Sequence, residues 1–78
     1  MQVVYLSAAR RALKAMPLPD ASALVAKLAV YADTGVGDVK KLTGEPRYRL
    51  RHGNWRAVFE IAGDVIVVRI AHRRDVYR

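Results

Sequence analysis

Residues 47 to 56 read RYRLRHGNWR, placing Arg47, Arg49, Arg51 and Arg56 within ten positions. On a strand, alternate side chains share a face and lie about 6.6–6.8 Å apart. Arg47, Arg49 and Arg51 would then stand as a comb on one face, with Tyr48 and Leu50 on the other. Phosphates along a single nucleic-acid strand repeat on a similar scale, so such a comb can track a backbone. Guanidinium groups stay charged and grip phosphate through paired donors, and they stabilise charge that develops on it during reaction. The plainer reading of the comb is protection of an exposed sheet edge by charge.

Arg56, in WRAVF, and a further arginine, Arg69, in VVRIA, sit in apolar runs. A charge there is costly unless it is paired or faces a wet cleft, and Glu60 is the expected partner of one or the other. The stretch HRRDVYR, residues 72–78, gathers His72, Arg73, Arg74, Tyr77 and Arg78. Tyr77 would stack on an unpaired base or anchor on the sheet. The two histidines, His52 and His72, have no carboxylate at metal-ligand spacing, so no metal site is expected. There is no cysteine, and Ser7 and Ser22 stand at expected helix starts. No phosphate-cradling glycine loop appears, and no cofactor is expected. RNA, however, carries its own nucleophile in the 2′-hydroxyl, leaving the protein to supply a base, an acid and a charge clamp. The residues by themselves lead to a ribonuclease or a plain RNA binder.

The elements that would position these residues alternate in period. Residues 3–6 read as a strand, and Ser7 is the expected N-cap of a helix with Ala9, Ala12, Leu13 and Met16 as its apolar stripe. The PLP at residues 17–19 ends that helix. Asp20 or Ser22 would cap a second helix, with Leu24, Val25, Leu28 and Tyr31 facing inward and a glycine of TGVG closing it. After KKL and the turn signal GEP, strands are expected over residues 47–52, 55–62 and 65–71, joined by turns at Gly53-Asn54 and Gly63-Asp64. The expected architecture is α+β, a single-domain sandwich over residues 1–78. A strand and two helices lead into a three-stranded antiparallel meander, with the helices on one sheet face.

Charge narrows the partners. The chain has 78 residues and a net charge of +7. Residues 1–39 hold four basic and three acidic groups, whereas residues 40–78 hold ten and four. A basic second half favours polyanions. The absence of cysteine suits a reducing, cytoplasmic setting. The longest apolar run, VIVV, is far too short to span a membrane, and the apolar-before-charged N-terminus is unlike a secretory signal.

The segment VKKLTGEPRYRLRHGNWRAVFEIAGDVIVVRIAHRRDVY, with VVYLSAARRALKAMP before it, resembles the RelE/ParE superfamily of toxins from bacterial toxin–antitoxin modules. It looks closest to the RelE branch. The resemblance implies a RelE-like fold and a cytoplasmic, ribosome-dependent mRNA endonuclease that needs no metal and arrests growth by blocking translation. It also implies a cognate antitoxin that wraps the toxin in a hetero-oligomer, presenting an acidic or apolar helix to the sheet. By position, Arg47 and Arg49 fall where RelE-like toxins carry basic residues, commonly lysines, one of them a proposed general base. Arg56 matches the arginine that stabilises the phosphate, Arg73 the arginine proposed to protonate the leaving oxygen, and Tyr77 the tyrosine that stacks on substrate. Arg51, His52, Arg69 and Arg74 complete the expected RNA-contacting set. Arginine at the base position is a departure, because a guanidinium does not give up its proton in proteins. His52 or His72 would have to replace it, or the arginines only position and polarise. A second departure is that no C-terminal helix follows, so an antitoxin that displaces one would not act that way here. Two rival readings stay open: a ParE-like inhibitor of DNA gyrase and a non-catalytic basic binding module.

Overall fold

A computed structural model describes residues 1–76. The chain forms β1 (Val3–Tyr5), α1 (Ser7–Ala15), α2 (Leu18–Thr34), β2 (Val39–Lys41), β3 (Tyr48–His52), β4 (Trp55–Ala62) and β5 (Asp64–His72). The sheet runs β1-β5-β4-β3-β2, with β1 parallel to β5 and every other pair antiparallel. The expected α+β arrangement is present, with one strand more than the sequence suggested. Val39–Lys41, expected as a lead-in, pairs with β3 and shields Tyr48, Arg49 and Leu50 along its edge.

Local chemistry explains most boundaries and corrects two. Ser7 is the first helical residue of α1 and not its cap. Leu6 occupies the cap position and supplies no side-chain hydrogen bond. The second helix begins before Asp20, because Pro17 and Pro19 fall at its cap and first turn, where a missing N–H costs nothing. It ends as expected on Gly35, whose φ of 77° lets its N–H reach the Tyr31 carbonyl. Val25 faces outward, and the buried stripe of α2 is Ala21, Leu24, Leu28 and Ala32.

The helices cover one face of the sheet. Leu24, Leu28, Leu50, Phe59, Val65 and Val67 are fully buried between them. Phe59 stacks on Tyr48 at 5.6 Å between ring centroids and meets Tyr31 at 5.3 Å. Each such aliphatic or aromatic side chain contributes about 1.5–3 kcal/mol by leaving water. Strand alternation then sends the intervening residues of β3, β4 and β5 to the opposite, uncovered face.

Candidate nucleic-acid interface

The uncovered face can be read from the strand register. Arg51 lies opposite Arg56, which lies opposite Ala71. One step along, Arg49 lies opposite Val58, which lies opposite Arg69. A further step brings Glu60 opposite Ile66, and Arg47 reaches it from just before β3. Five arginines thus surround Val58, with Glu60 at one corner.

Arg69 belongs to this face only because β5 is irregular. Strict alternation from buried Val65 and Val67 would drive Arg69 into the core. Instead Val58 pairs with Arg69 and Phe59 with Val67, which leaves Val68 as the extra residue of a bulge. Past it, Ile70 turns inward and Arg69 outward.

Each guanidinium is braced. Arg47 Nε donates to Glu60 Oε1 at 3.1 Å. Arg51 Nε donates to Asp38 Oδ2 at 2.6 Å, and an Arg49 terminal nitrogen to Asp38 Oδ1 at 3.4 Å. Arg56 donates to the carbonyls of Gly53 and Trp55 at 2.8 and 2.9 Å. Arg69 donates to the Asp75 carbonyl at 2.6 Å. The ion pair expected between Glu60 and Arg56 or Arg69 gives way to the one with Arg47. Arg56 and Glu60 are four residues apart on one strand, about 13 Å, whereas Arg47 comes alongside. The hydrogen bond from Arg51 holds the Asp38 carboxyl below the usual carboxylate range against the opposing effect of desolvation, with the Arg51 charge and the hydrogen bond and charge of Arg49 adding to the shift.

The turn after β5 folds onto the same face. Its Asp75 and Val76 N–H groups donate to the His72 carbonyl, and Val76 is buried. Between this turn and the loop before β3 lies a cleft of about 260 Å³. Leu42, Val58, Val68 and Val76 form its apolar lining, and Glu45, Arg47 and Arg69 supply polar groups. The Arg73 N–H donates to the Asn54 carbonyl at 2.6 Å, which places exposed Arg73 beside the hairpin end of the arginine face. Exposed Arg74 follows it. Tyr77 and Arg78 lie outside the described residues.

The histidines do not join this face. In β3, His52 shares the parity of Tyr48 and Leu50, and it meets α2. Lys27 Nζ donates to its Nδ1 at 2.9 Å, so the ring proton sits on Nε2 and is directed at Asp20 Oδ1, 3.2 Å away. His72 pairs with Trp55 across the strands on the helix-covered side, its ring edge-on at 5.8 Å. The arginines predicted to act together are therefore brought together, and the two candidate bases are set apart from them. Sequence reasoning missed Glu45, which it took for part of a turn, and Asp38. A carboxylate two positions before the comb was the available signal for Glu45, while nothing local marked Asp38.

What the arrangement offers is a shallow cationic surface with three carboxylates, Asp38, Glu45 and Glu60, at its margin, suited to a phosphodiester chain. The sequence model of the ParE toxin of type II toxin–antitoxin systems, parDE, matches residues 4–77. No curated protein sequence matches the chain. Among solved structures, the fold is similar to a chain of the RelB–RelE antitoxin–toxin complex from Methanococcus jannaschii. That match has 25% identity and a TM-score of 0.78, covering 95% of this chain and 94% of that one. It is also similar to a chain of the toxin–antitoxin complex RelBE2 from Mycobacterium tuberculosis. Here identity is 24% and the TM-score 0.79, with 92% of this chain and 96% of that one covered. With its sequence matched almost end to end and its fold shared with RelE–RelB assemblies, the chain belongs to the ParE toxin family of type II toxin–antitoxin systems, within the RelE/ParE superfamily.

Proposed function

We propose that this toxin inhibits translation by cutting mRNA on the ribosome, with the 2′-hydroxyl of the RNA as nucleophile. The observation that carries the reading is the registered arginine face, with Arg49, Arg56 and Arg69 around Val58 and Arg47 in the adjoining cleft. These groups would hold the scissile phosphate and stabilise the charge that builds on its oxygens. Arg51, Arg73 and Arg74 extend the surface for flanking phosphates, and Tyr77 would stack on a base. This reading gives His52 and His72 no part in the chemistry, since both rings sit on the helix side of the sheet.

Glu45 serves as proton acceptor in this reading, since it lines the cleft with Arg47 and Arg69. Its carboxylate takes the 2′-hydroxyl proton as the O2′–P bond forms. The P–O5′ bond breaks, and the departing 5′-oxygen takes a proton from water. The products are a 2′,3′-cyclic phosphate and a 5′-hydroxyl, and Glu45 returns its proton to solvent. Attack from within the RNA explains how a cleft with no nucleophilic side chain among its described residues can do this chemistry.

A second reading is inhibition of DNA gyrase, favoured by the match to the ParE toxin model. The two part in one experiment: purified toxin is mixed with ribosomes stalled on a defined mRNA and new RNA 5′ ends are mapped. Cuts confined to the decoding-site codon, and lost in Arg56→Ala and Glu45→Gln, are expected. No cuts from the wild type, together with blocked gyrase supercoiling, would move the assignment to gyrase.

A further inference from the structure

We infer that Asp38 is a positioning residue of the proposed RNA-cleaving face, holding Arg49 and Arg51 in one fixed fork towards a phosphate. The inference rests on the RNA-cleavage reading and adds a residue that contacts no substrate. Arg49 and Arg51 project from the same face of β3, and Arg51 also lies directly opposite Arg56. Like charges so placed repel and would splay apart on their own. Asp38 stands at the edge of β3 where β2 has not yet begun, fixed there by a main-chain bond from the Arg51 N–H to its carbonyl at 3.0 Å. From that fixed point its two carboxylate oxygens divide between the two arginines, Oδ2 to Arg51 and Oδ1 to Arg49.

The donors used matter. Asp38 takes Arg51 through Nε, so the paired terminal nitrogens of that guanidinium are left for an incoming phosphate. The Arg49 side chain is mostly buried, at 14% exposure, and is further held by a 3.5 Å contact to the Asp38 carbonyl. Asp38 itself is 46% exposed, and an exposed ion pair contributes little to stability. Its weight falls on the geometry of two guanidinium groups.

The test compares wild type, Asp38→Asn and Asp38→Glu. Single-turnover cleavage is measured on stalled ribosomes, affinity on a single-stranded RNA oligonucleotide, and thermal stability by melting. Asp38→Asn is expected to bind the oligonucleotide at least as tightly as wild type, having lost a negative charge. Its cleavage rate at saturation should fall about tenfold or more, as misplacement of positioning groups does. Asp38→Glu should recover much of the rate. Wild-type cleavage by Asp38→Asn, or losses of binding and rate in equal proportion, would overturn the inference while leaving the cleavage reading standing. Absence of cleavage by the wild type would overturn both. Should Asp38→Asn fail to fold, Asp38→Glu decides: a carboxylate that does not restore the rate in a folded protein contradicts the assignment.

Discussion

Asp38 and Glu60 between them brace three of the arginines on the open face, Asp38 taking Arg49 and Arg51 and Glu60 taking Arg47. The depressed Asp38 carboxyl carries a consequence for stability. A group whose folded pKa lies below its unfolded value contributes in full above the unfolded value, and loses that contribution as pH falls through the folded one. Wild type should therefore melt slightly above Asp38→Asn at pH 6, and the gap should close as pH drops below about 4. Melting curves across pH 2 to 6 check this, and a gap that stays constant would contradict the role given to the carboxylate. At this scale the sequence was informative about what the arginines are and poor about what holds them. The spacing of Arg47, Arg49 and Arg51 is printed in the chain, but their anionic partners come from a loop and a neighbouring strand that only the fold brings close.

At the scale of elements, period and punctuation carried most of the architecture. Gly53 and Gly63, both at positive φ, mark the two tight connections of the meander, and Gly35 ends α2 as its type predicts. What escaped was short or irregular. The β2 strand has three residues, two of them lysines, and its pairing is set by β3 and not by its own composition. The bulge at Val68 has no local signal in VIVVRIA, yet it decides on which face Arg69 stands. The weak start of α1 offers a test. Its first turn has no acidic residue, its cap is Leu6, and Leu6 is 43% exposed, so replacement there costs little packing. Leu6→Asp should stabilise the protein by about 1 kcal/mol through a capping hydrogen bond and the helix dipole. For a domain this size that is a rise in melting temperature of roughly 4–8 °C. An unchanged or lower melting temperature would show that the helix start is held by contacts other than its cap.

For the molecule as a whole, the sheet separates two environments. The helix-covered side takes up most of the buried core and both histidines, and the open side takes the arginines of the sheet. Much of the positive charge of residues 40–78 thereby stands where a polyanion can reach it. An antitoxin that neutralises this toxin should cover the open side with acidic or apolar groups, and the purified toxin–antitoxin complex should bind RNA far more weakly than free toxin. Equal binding by the two, measured at the same ionic strength, would place the antitoxin elsewhere on the toxin.

In the proposed reaction the arginine face promotes attack by the RNA's own 2′-hydroxyl. Its most direct test is single-turnover cleavage on ribosomes stalled over an mRNA whose decoding-site codon carries a single 2′-deoxy nucleotide at the cut position. The cut should vanish with the deoxy substitution, and the all-ribose control should yield a 2′,3′-cyclic phosphate and a 5′-hydroxyl. Cleavage that persists at the deoxy position, leaving a 5′-phosphate, would contradict it.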